Sequence, residues 1–346
     1  MEKQKFNINI STETIIKIII FGLAIGFFYL IKDVLLVIFA ALILSSAFDP
    51  MVQWLHRRKI PRALSIIIIY AILFSIISAA LILIVPLIST EIVQLAQNFP
   101  FYYNAISQSL VNFQNTSHFA ALDQLQNGLA SFGNNLPSTV GSIFSTLYDI
   151  FGGIFSMILV MVLTFYFTAY ENATRSFVQS ITPIEAQPYI LRLYNRIQVK
   201  LGQWLRGQLI LSLVIFALTF IGLTILGVPY ALILAFIAGI FEIVPTIGPI
   251  MSAVPAVFFG FLQSPIMGLS VIILYIVVQQ LENNLVVPKV MSKSVGLNPL
   301  VVIIAVLIGA KMGGIFGALF AVPVTTALSV FLDDVINKKQ EKETAL

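Results

Sequence analysis

Long apolar runs separated by short polar stretches cover most of this 346-residue chain. Runs at 15–31, 64–88, 150–170, 208–226 and 265–281 approach or exceed the roughly 20 mostly apolar residues a membrane-crossing helix needs, and a shorter run fills 34–47. The first two are split only by Lys32-Asp33 and predict a tight helical pair. Two further apolar stretches, both within 227–332, are each interrupted by proline and glycine: GVPYALILAFIAGIFEIVPTIGPIMSAVPAV and LNPLVVIIAVLIGAKMGGIFGALFAVPVTTAL. Lipid cannot satisfy the backbone groups that such breaks free, so broken helices at membrane depth need protein or a water-filled cavity around them. Paired interruptions of this kind point to the binding site of a transporter.

The polar stretches have patterns of their own. In 89–148, Ile92, Leu95, Phe99, Tyr103, Ile106, Leu110 and Phe113 are spaced three or four apart, with Pro100 expected to restart the helix. This stripe predicts amphipathic helices lying over the protein's own spans, with a subunit contact as the sharper alternative. In 171–207, Ile190, Leu193, Tyr194, Ile197, Leu201, Trp204 and Leu205 mark one helix face, and Arg192, Arg196 and Lys200 step along another. That is the pattern of an interfacial amphipathic helix.

Charge sets the topology. DPMVQWLHRRKIPR (49–62) is the densest basic cluster, whereas residues 63–174 contain no Lys or Arg. The positive-inside rule therefore puts 49–62 in the cytoplasm and 89–148 outside. Arg175 to Arg206 return the chain to the cytoplasm, as do Lys289 and Lys293 and the lysines of the tail. Both termini are then cytoplasmic, and 228–263 and 298–332 must each leave and return to one side. The first arm of the second stretch, 299–310, would be about 18 Å long, well short of a hydrocarbon core of about 30 Å. Two hairpins entering from opposite sides fit, one bent near Glu242–Pro249 and one near Lys311–Gly314. Each opens with a proline (Pro229, Pro299), has a glycine ten residues later (Gly239, Gly309) and ends its second arm in Ala-Val-Pro, at 253–255 or 321–323. An inverted-topology repeat and chance likeness between apolar segments both account for this.

Composition agrees: 59% hydrophobic, 10% charged, mean hydropathy +0.99. The fold class is all-α, a polytopic integral membrane protein of about five to eight membrane segments including two re-entrant helical hairpins; the alternating strands of a barrel are absent. The N-terminal segment reads as a retained span and not a signal peptide. With no cysteine, disulfides, thiolate metal sites and cysteine nucleophiles are excluded. The two histidines, His56 and His118, sit in polar segments, and no phosphate-binding loop or HExxH motif occurs. The chain is not expected to be an enzyme, and no cofactor and no metal are expected. The net charge of +4 resides beside the spans and does not imply nucleic acid.

Glu242 and Lys311 are the charges inside the two hairpins, each near the middle of its segment. A charge at membrane depth costs about 2.5–3.5 kcal/mol or more, which makes it a functional candidate. Their opposite signs suggest that they approach one another or flank one cavity; the plainer reading is that each reaches water at a hairpin tip. Gln279, Gln280, Glu282, Asn283 and Asn284 cluster at the end of the 265–281 span, where their oxygens suit Na⁺, a proton or a polar metabolite. An ordinary polar helix end is the alternative. Gly248, Gly313 and Gly314 permit bends or close packing. The basic cluster WLHRRKIPR reads as a topology determinant, with lipid or partner binding as the alternative.

PTIGP (245–249), followed by Pro255, resembles the proline-isoleucine-glycine-proline signature of the autoinducer-2 exporter family. QQLENNLVVPKVMSKSVGLNPLVVIIAVLIGAKMGGIFGALFAVPV (279–324) resembles that family's long C-terminal motif, and DPMVQWLHRRKIPR its basic turn after the second span. The likeness covers nearly the whole chain and is least distinctive in 89–148. It implies a multi-span prokaryotic transport protein forming a homo-oligomer. Some members are associated with autoinducer-2 export and others with Na⁺(Li⁺)/H⁺ antiport. Thr246 stands where the usual motif has an aromatic, a change that leaves the turn intact and alters the cavity lining. Pro245, Thr246, Gly248 and Pro249 join the candidate pathway on this ground.

The expected function is a secondary transporter in the cytoplasmic (inner) membrane, exporting a small polar solute coupled to H⁺ or Na⁺. A Na⁺(Li⁺)/H⁺ antiporter is the alternative within transport; a passive channel and a non-transporting scaffold are alternatives from other classes. The chain divides into N-terminal spans (1–88), an outer amphipathic segment (89–148), a span with its cytoplasmic helix (149–207), a transport core (208–336) and a tail (337–346).

Overall fold

The computed structural model describes residues 17, 19–23, 26–27, 30–114, 153–245, 247–291 and 297–344. Among these the ordered elements are all helical: α1 Lys32–Arg57, α2 Arg62–Gln114, α3 Gly153–Ala169, α4 Glu171–Ser180, α5 Gln187–Leu226, α6 Ala231–Phe241, α7 Ile247–Gln263, α8 Pro265–Leu281, α9 Val287–Met291 and α10 Pro299–Thr344. A π-helical turn, Glu282–Val286, joins α8 to α9. Five stretches are long and apolar enough to cross a membrane: Lys32–Arg57, Arg62–Glu91, Gln187–Leu226, Pro265–Met291 and Gly317–Asp334. The pair Phe155–Ala169 and Thr174–Ser180, bent by 83°, makes a sixth if counted as one span. Apolar side chains such as Ile72, Leu83, Leu213, Ile225 and Ile273 are exposed on these helices, as a lipid-facing surface requires. The all-α polytopic fold is as expected.

Several local expectations change. The runs around Lys32 do not fold back as a pair: Ile31 N–H donates to Phe27 O and Leu35 N–H to Ile31 O, so helical bonding continues across the polar residues. Residues 49–57 belong to α1, which leaves only 58–61 as the turn, with Lys59 at φ 67 and Arg58 over Trp54 at 4.0 Å. The backbone of α2 stays helical across Pro100, where a restart was expected. A proline removes one helical bond, whereas starting a new helix carries the larger cost of nucleation. The side chains of the stripe from Ile92 to Phe113, and residues 115–148, lie outside the described residues.

The amphipathic stretch 187–207 and the span 208–226 are one 40-residue helix, α5. Its apolar face is not laid on a membrane surface. Leu201 and Trp204 are buried with Ile43 of α1 and with Val306, Ala318, Ala321 and Val322 of α10. Arg196, on the polar face, pairs with Asp334 at the far end of α10. Helix pairing elsewhere uses buried hydroxyls: Thr168 Oγ1 lies 2.9 Å from Ser45 Oγ and Thr164 Oγ1 3.4 Å from Ala41 O, bringing α3 against α1. Without a hydrophobic drive inside lipid, such bonds and close packing hold helices together, at about 0.6–2 kcal/mol each.

Both broken segments double back. In the first, Gln263 Nε2 donates to Gly227 O at 3.1 Å, so the stretch between them leaves and returns to one end of α5. Its turn is closed by Gly248, where a β-carbon would lie 1.8 Å from Phe241 O. In the second, helical geometry fails at Gly313 (φ −135, ψ 19) and Gly314 (φ 59, ψ −139). The arms then pack so tightly that a β-carbon on Gly317 would lie 1.8 Å from Gly309 O. The positive φ of Gly314 and the close approach of Gly317 each call for glycine. The two Ala-Val-Pro sequences do not end the second arms; α7 and α10 run on through Pro255 and Pro323. The matched glycines also do different work. Gly239 packs on Ser212 and Phe216 of α5, whereas Gly309 packs on its own second arm.

Candidate functional site

Three elements converge beside the first hairpin's tip. α5 runs antiparallel to α8 and its continuation α9, with Gly222 against Leu274 of α8 and Gly207 against Met291 of α9. α6 lies on both, and Ile215 of α5 packs with Ala238 of α6 and Val278 of α8. Where the three meet sits Glu242, immediately after α6 and 1% exposed. Glu282 opens the π-helical turn of α8 and is 6% exposed. The extra residue per turn in a π-bulge changes which side chain faces inward, and such bulges are frequent at functional sites.

The two carboxyl groups lie close enough to interact directly. Gln279 Nε2 donates to Glu282 Oε2 at 3.0 Å, and Gln208 Nε2 of α5 donates to the backbone carbonyl of Glu242. Glu242 Oε2 has no partner among the described residues. Two carboxyls in contact away from bulk water repel if both are charged, so a proton or a metal cation must sit with them.

The anticipated residues divide sharply. Glu242, Gln279 and Glu282 come together, joined by Gln208, whose lone amide at the start of an apolar run gives no signal in sequence. Gln280, Asn283 and Asn284 are on the exposed side of the same helix, Asn284 Nδ2 donating to Gln280 O (3.0 Å) and Oε1 (2.9 Å). They do not lie at a helix end, because the span continues to Met291. Lys311, Gly313 and Gly314 are exposed at the tip of the second hairpin. The expected approach of Lys311 to Glu242 is replaced by a contact between two acids, with no ion pair to Lys311 among the described residues.

Pro245 lies in the turn, its carbonyl accepting Ile247 N–H at 2.8 Å; Thr246 lies outside the described residues. Gly248 and Pro249 are buried, Ser252 Oγ donates to Pro249 O (2.9 Å), and Tyr275 of α8 donates to Ser252 O (3.3 Å). Val244 and Ile247, at the tip of this hairpin, pack on the cluster that holds Val306, Ala318 and Ala321 of the second hairpin. The hairpins thus share one apolar contact beside Trp204. At the other end of α6, Glu91 Oε2 of α2 accepts Ile233 N–H at 3.0 Å, capping the helix, and Asn98 Nδ2 donates to Tyr230 Oη at 3.4 Å.

Residues 18–337 match the family model described as AI-2E family transporter. The chain is 30% identical to the Bacillus subtilis protein named "Putative transport protein YueF", over 85% of this chain and 82% of that protein. It is 26% identical to the sodium-lithium/proton antiporter of Halobacillus andaensis, over 84% of this chain and 86% of that one. It is 25% identical to the AI-2 transport protein TqsA of Escherichia coli, over 85% and 83%. With its spans, its hairpins and a match across nearly its whole length, this integral membrane protein belongs to the AI-2E transporter family.

Proposed function

We propose that this protein is an ion-coupled secondary transporter in which the Glu242–Glu282 pair carries the coupling ion. One observation carries the reading: two acids from different elements are buried side by side, where both could not be charged without a cation to offset their repulsion. Gln279 donates to Glu282, which casts Glu282 as the acceptor and Glu242 as the carboxyl that takes and gives the proton. Na⁺ or Li⁺ would compete with that proton for the same oxygens, giving cation/proton exchange. One relative bears the name of such an antiporter, which supports the reading. Alternating access would move the hairpin carrying Glu242 relative to the helix carrying Glu282. The membrane is the prokaryotic cytoplasmic one, with both termini inside, as the basic turn at 58–61 supports.

A second reading, export of a small polar solute driven by the same proton, is favoured by the exposed amides Gln280, Asn283 and Asn284. Polar side chains on a spanning helix mark a solute path or a water-filled cavity. The autoinducer-2 transport named for one relative supports it. In either case a homo-oligomer is proposed, on the family resemblance alone.

The deciding experiment uses proteoliposomes with a trapped pH dye. Pulses of Na⁺ or Li⁺ should move protons, and Glu242→Gln should slow the movement at least tenfold. Undiminished cation-driven flux in that variant would sink the carrier role. Release of a loaded polar solute that depends on the pH gradient, without cation-driven flux, would select the export reading.

A further inference from the structure

Among the described residues, three buried side-chain polar atoms lack a hydrogen-bond partner: Ser212 Oγ, Thr219 Oγ1 and Glu242 Oε2. They are not scattered. Ser212 and Thr219 lie on α5 with Gln208, within about 40° of one another on the helix surface at 3.6 residues per turn. Ile215, on the same face between them, packs on Ala238 of α6 and Val278 of α8. Ser212 O also lies against Gly239 of α6. The hydroxyls therefore face the seam where α5, α6 and α8 meet, and Gln208 ends the row by bonding to Glu242 itself.

Other buried hydroxyls in this chain solve the same problem locally. Ser46, Thr164, Thr168 and Thr326 each donate to the carbonyl four residues back, at 2.7–2.8 Å. Ser212 and Thr219 do not, although Thr219 is only 1% exposed. A buried polar atom without a protein partner is the usual site of ordered water. From Gln208 to Thr219 the row rises about 16 Å, a distance a few hydrogen-bonded waters can bridge. It leads toward the Leu226 end of α5, where Gly227 and Gln263 close the mouth of the first hairpin.

We propose that the α5–α6–α8 seam holds a file of water molecules joining the Glu242–Glu282 pair to the mouth of the first hairpin, with Ser212 and Thr219 as its fixed hydrogen-bonding posts. Its role as an ion-access route rests on the carrier reading above; the presence of the water does not. No covalent step is involved: a proton passes along hydrogen bonds, or a small cation exchanges carbonyl, hydroxyl and water ligands as it moves.

The absence of native cysteine makes the test direct. Ser212→Cys and Thr219→Cys, singly, are placed in lipid nanodiscs and exposed to Ag⁺, an ion near Na⁺ in size. Blocking is read as loss of later maleimide labelling after denaturation. Leu213→Cys, on the exposed apolar face, is the control. Both seam thiols should be blocked at least tenfold faster than the control. Blocking of neither, of only one, or at the control rate overturns the file.

Thermal unfolding of Thr219→Val is a second, independent reading. A hydroxyl bonded to water leaves that water short of a partner when replaced by methyl, so the midpoint should fall. A rise, the result for a dry hydroxyl, overturns the proposal. Carbodiimide labelling of Glu242 in otherwise native protein separates the two ideas. Silver exclusion with Glu242 still labelled rejects the water file alone; silver access with Glu242 unlabelled rejects the proton carrier alone.

Discussion

The carboxyl of Glu242, at the tip of the first hairpin, meets that of Glu282 on the widened turn of α8, and both are buried. One acid therefore travels with the hairpin and the other with a long helix. Any movement between those two elements makes or breaks the shared site.

On the carrier reading proposed above the pair acts as a unit, so its substitutions should not add. Glu242→Gln and Glu282→Gln are each expected to slow ion-driven flux at least tenfold, and the double variant should be little worse than either. Groups that work together show this non-additivity. Initial rates in proteoliposomes check it; independent, multiplying effects would mean that the two acids serve separate steps.

The second hairpin depends on backbone contact between Gly309 and Gly317. Gly317→Val should push the arms apart and lower stability by about 1–3 kcal/mol, the usual cost of overpacking. Trp204 lies in the cluster that contacts these arms, and the other tryptophan is the exposed Trp54. In a Trp54→Phe background, Trp204 fluorescence should report the loosening as a lower thermal midpoint. Emission and midpoint unchanged by Gly317→Val would show that the arms have room to spare.

Glu91 caps α6 from another helix by accepting Ile233 N–H. Removing a cap costs about 0.5–2 kcal/mol. Glu91→Ala should speed amide exchange at 231–235, while Glu91→Gln, which keeps an acceptor oxygen, should largely preserve protection. Equal exchange in both variants would mean that the contact is incidental.

Arg196 and Asp334 form an ion pair whose side chains are 52% and 17% exposed. Half-exposed pairs contribute about 0–1 kcal/mol after screening. A double-mutant cycle with Arg196→Gln and Asp334→Asn should return a coupling in that range, falling with salt. A larger, salt-insensitive coupling would assign the pair a structural role that its exposure does not suggest.

The apolar runs and the broken segments made the all-α membrane fold and the two chain reversals legible, because lipid imposes length rules on single segments. Gly313-Gly314 and PTIGP marked the turns, since a reversal needs residues that tolerate it. The local errors share one cause. Pro100 was expected to end a helix and 207 to separate two, but a long continuous helix overrides a single unfavourable residue.

Glu242 was visible as a charge at membrane depth, but its partner was not. Opposite charges suggested Lys311, whereas packing set an acid beside an acid. Gln208, Ser212 and Thr219 carry no signal in a linear reading; each is an ordinary polar residue in an apolar run. Sequence by itself determined which segments are apolar enough to enter a membrane and where they break, because that depends on the solvent each residue meets. Only the tertiary structure decided which buried groups meet, because contacts between distant helices depend on crossing geometry, on the glycines that allow close approach and on the face a π-bulge turns inward.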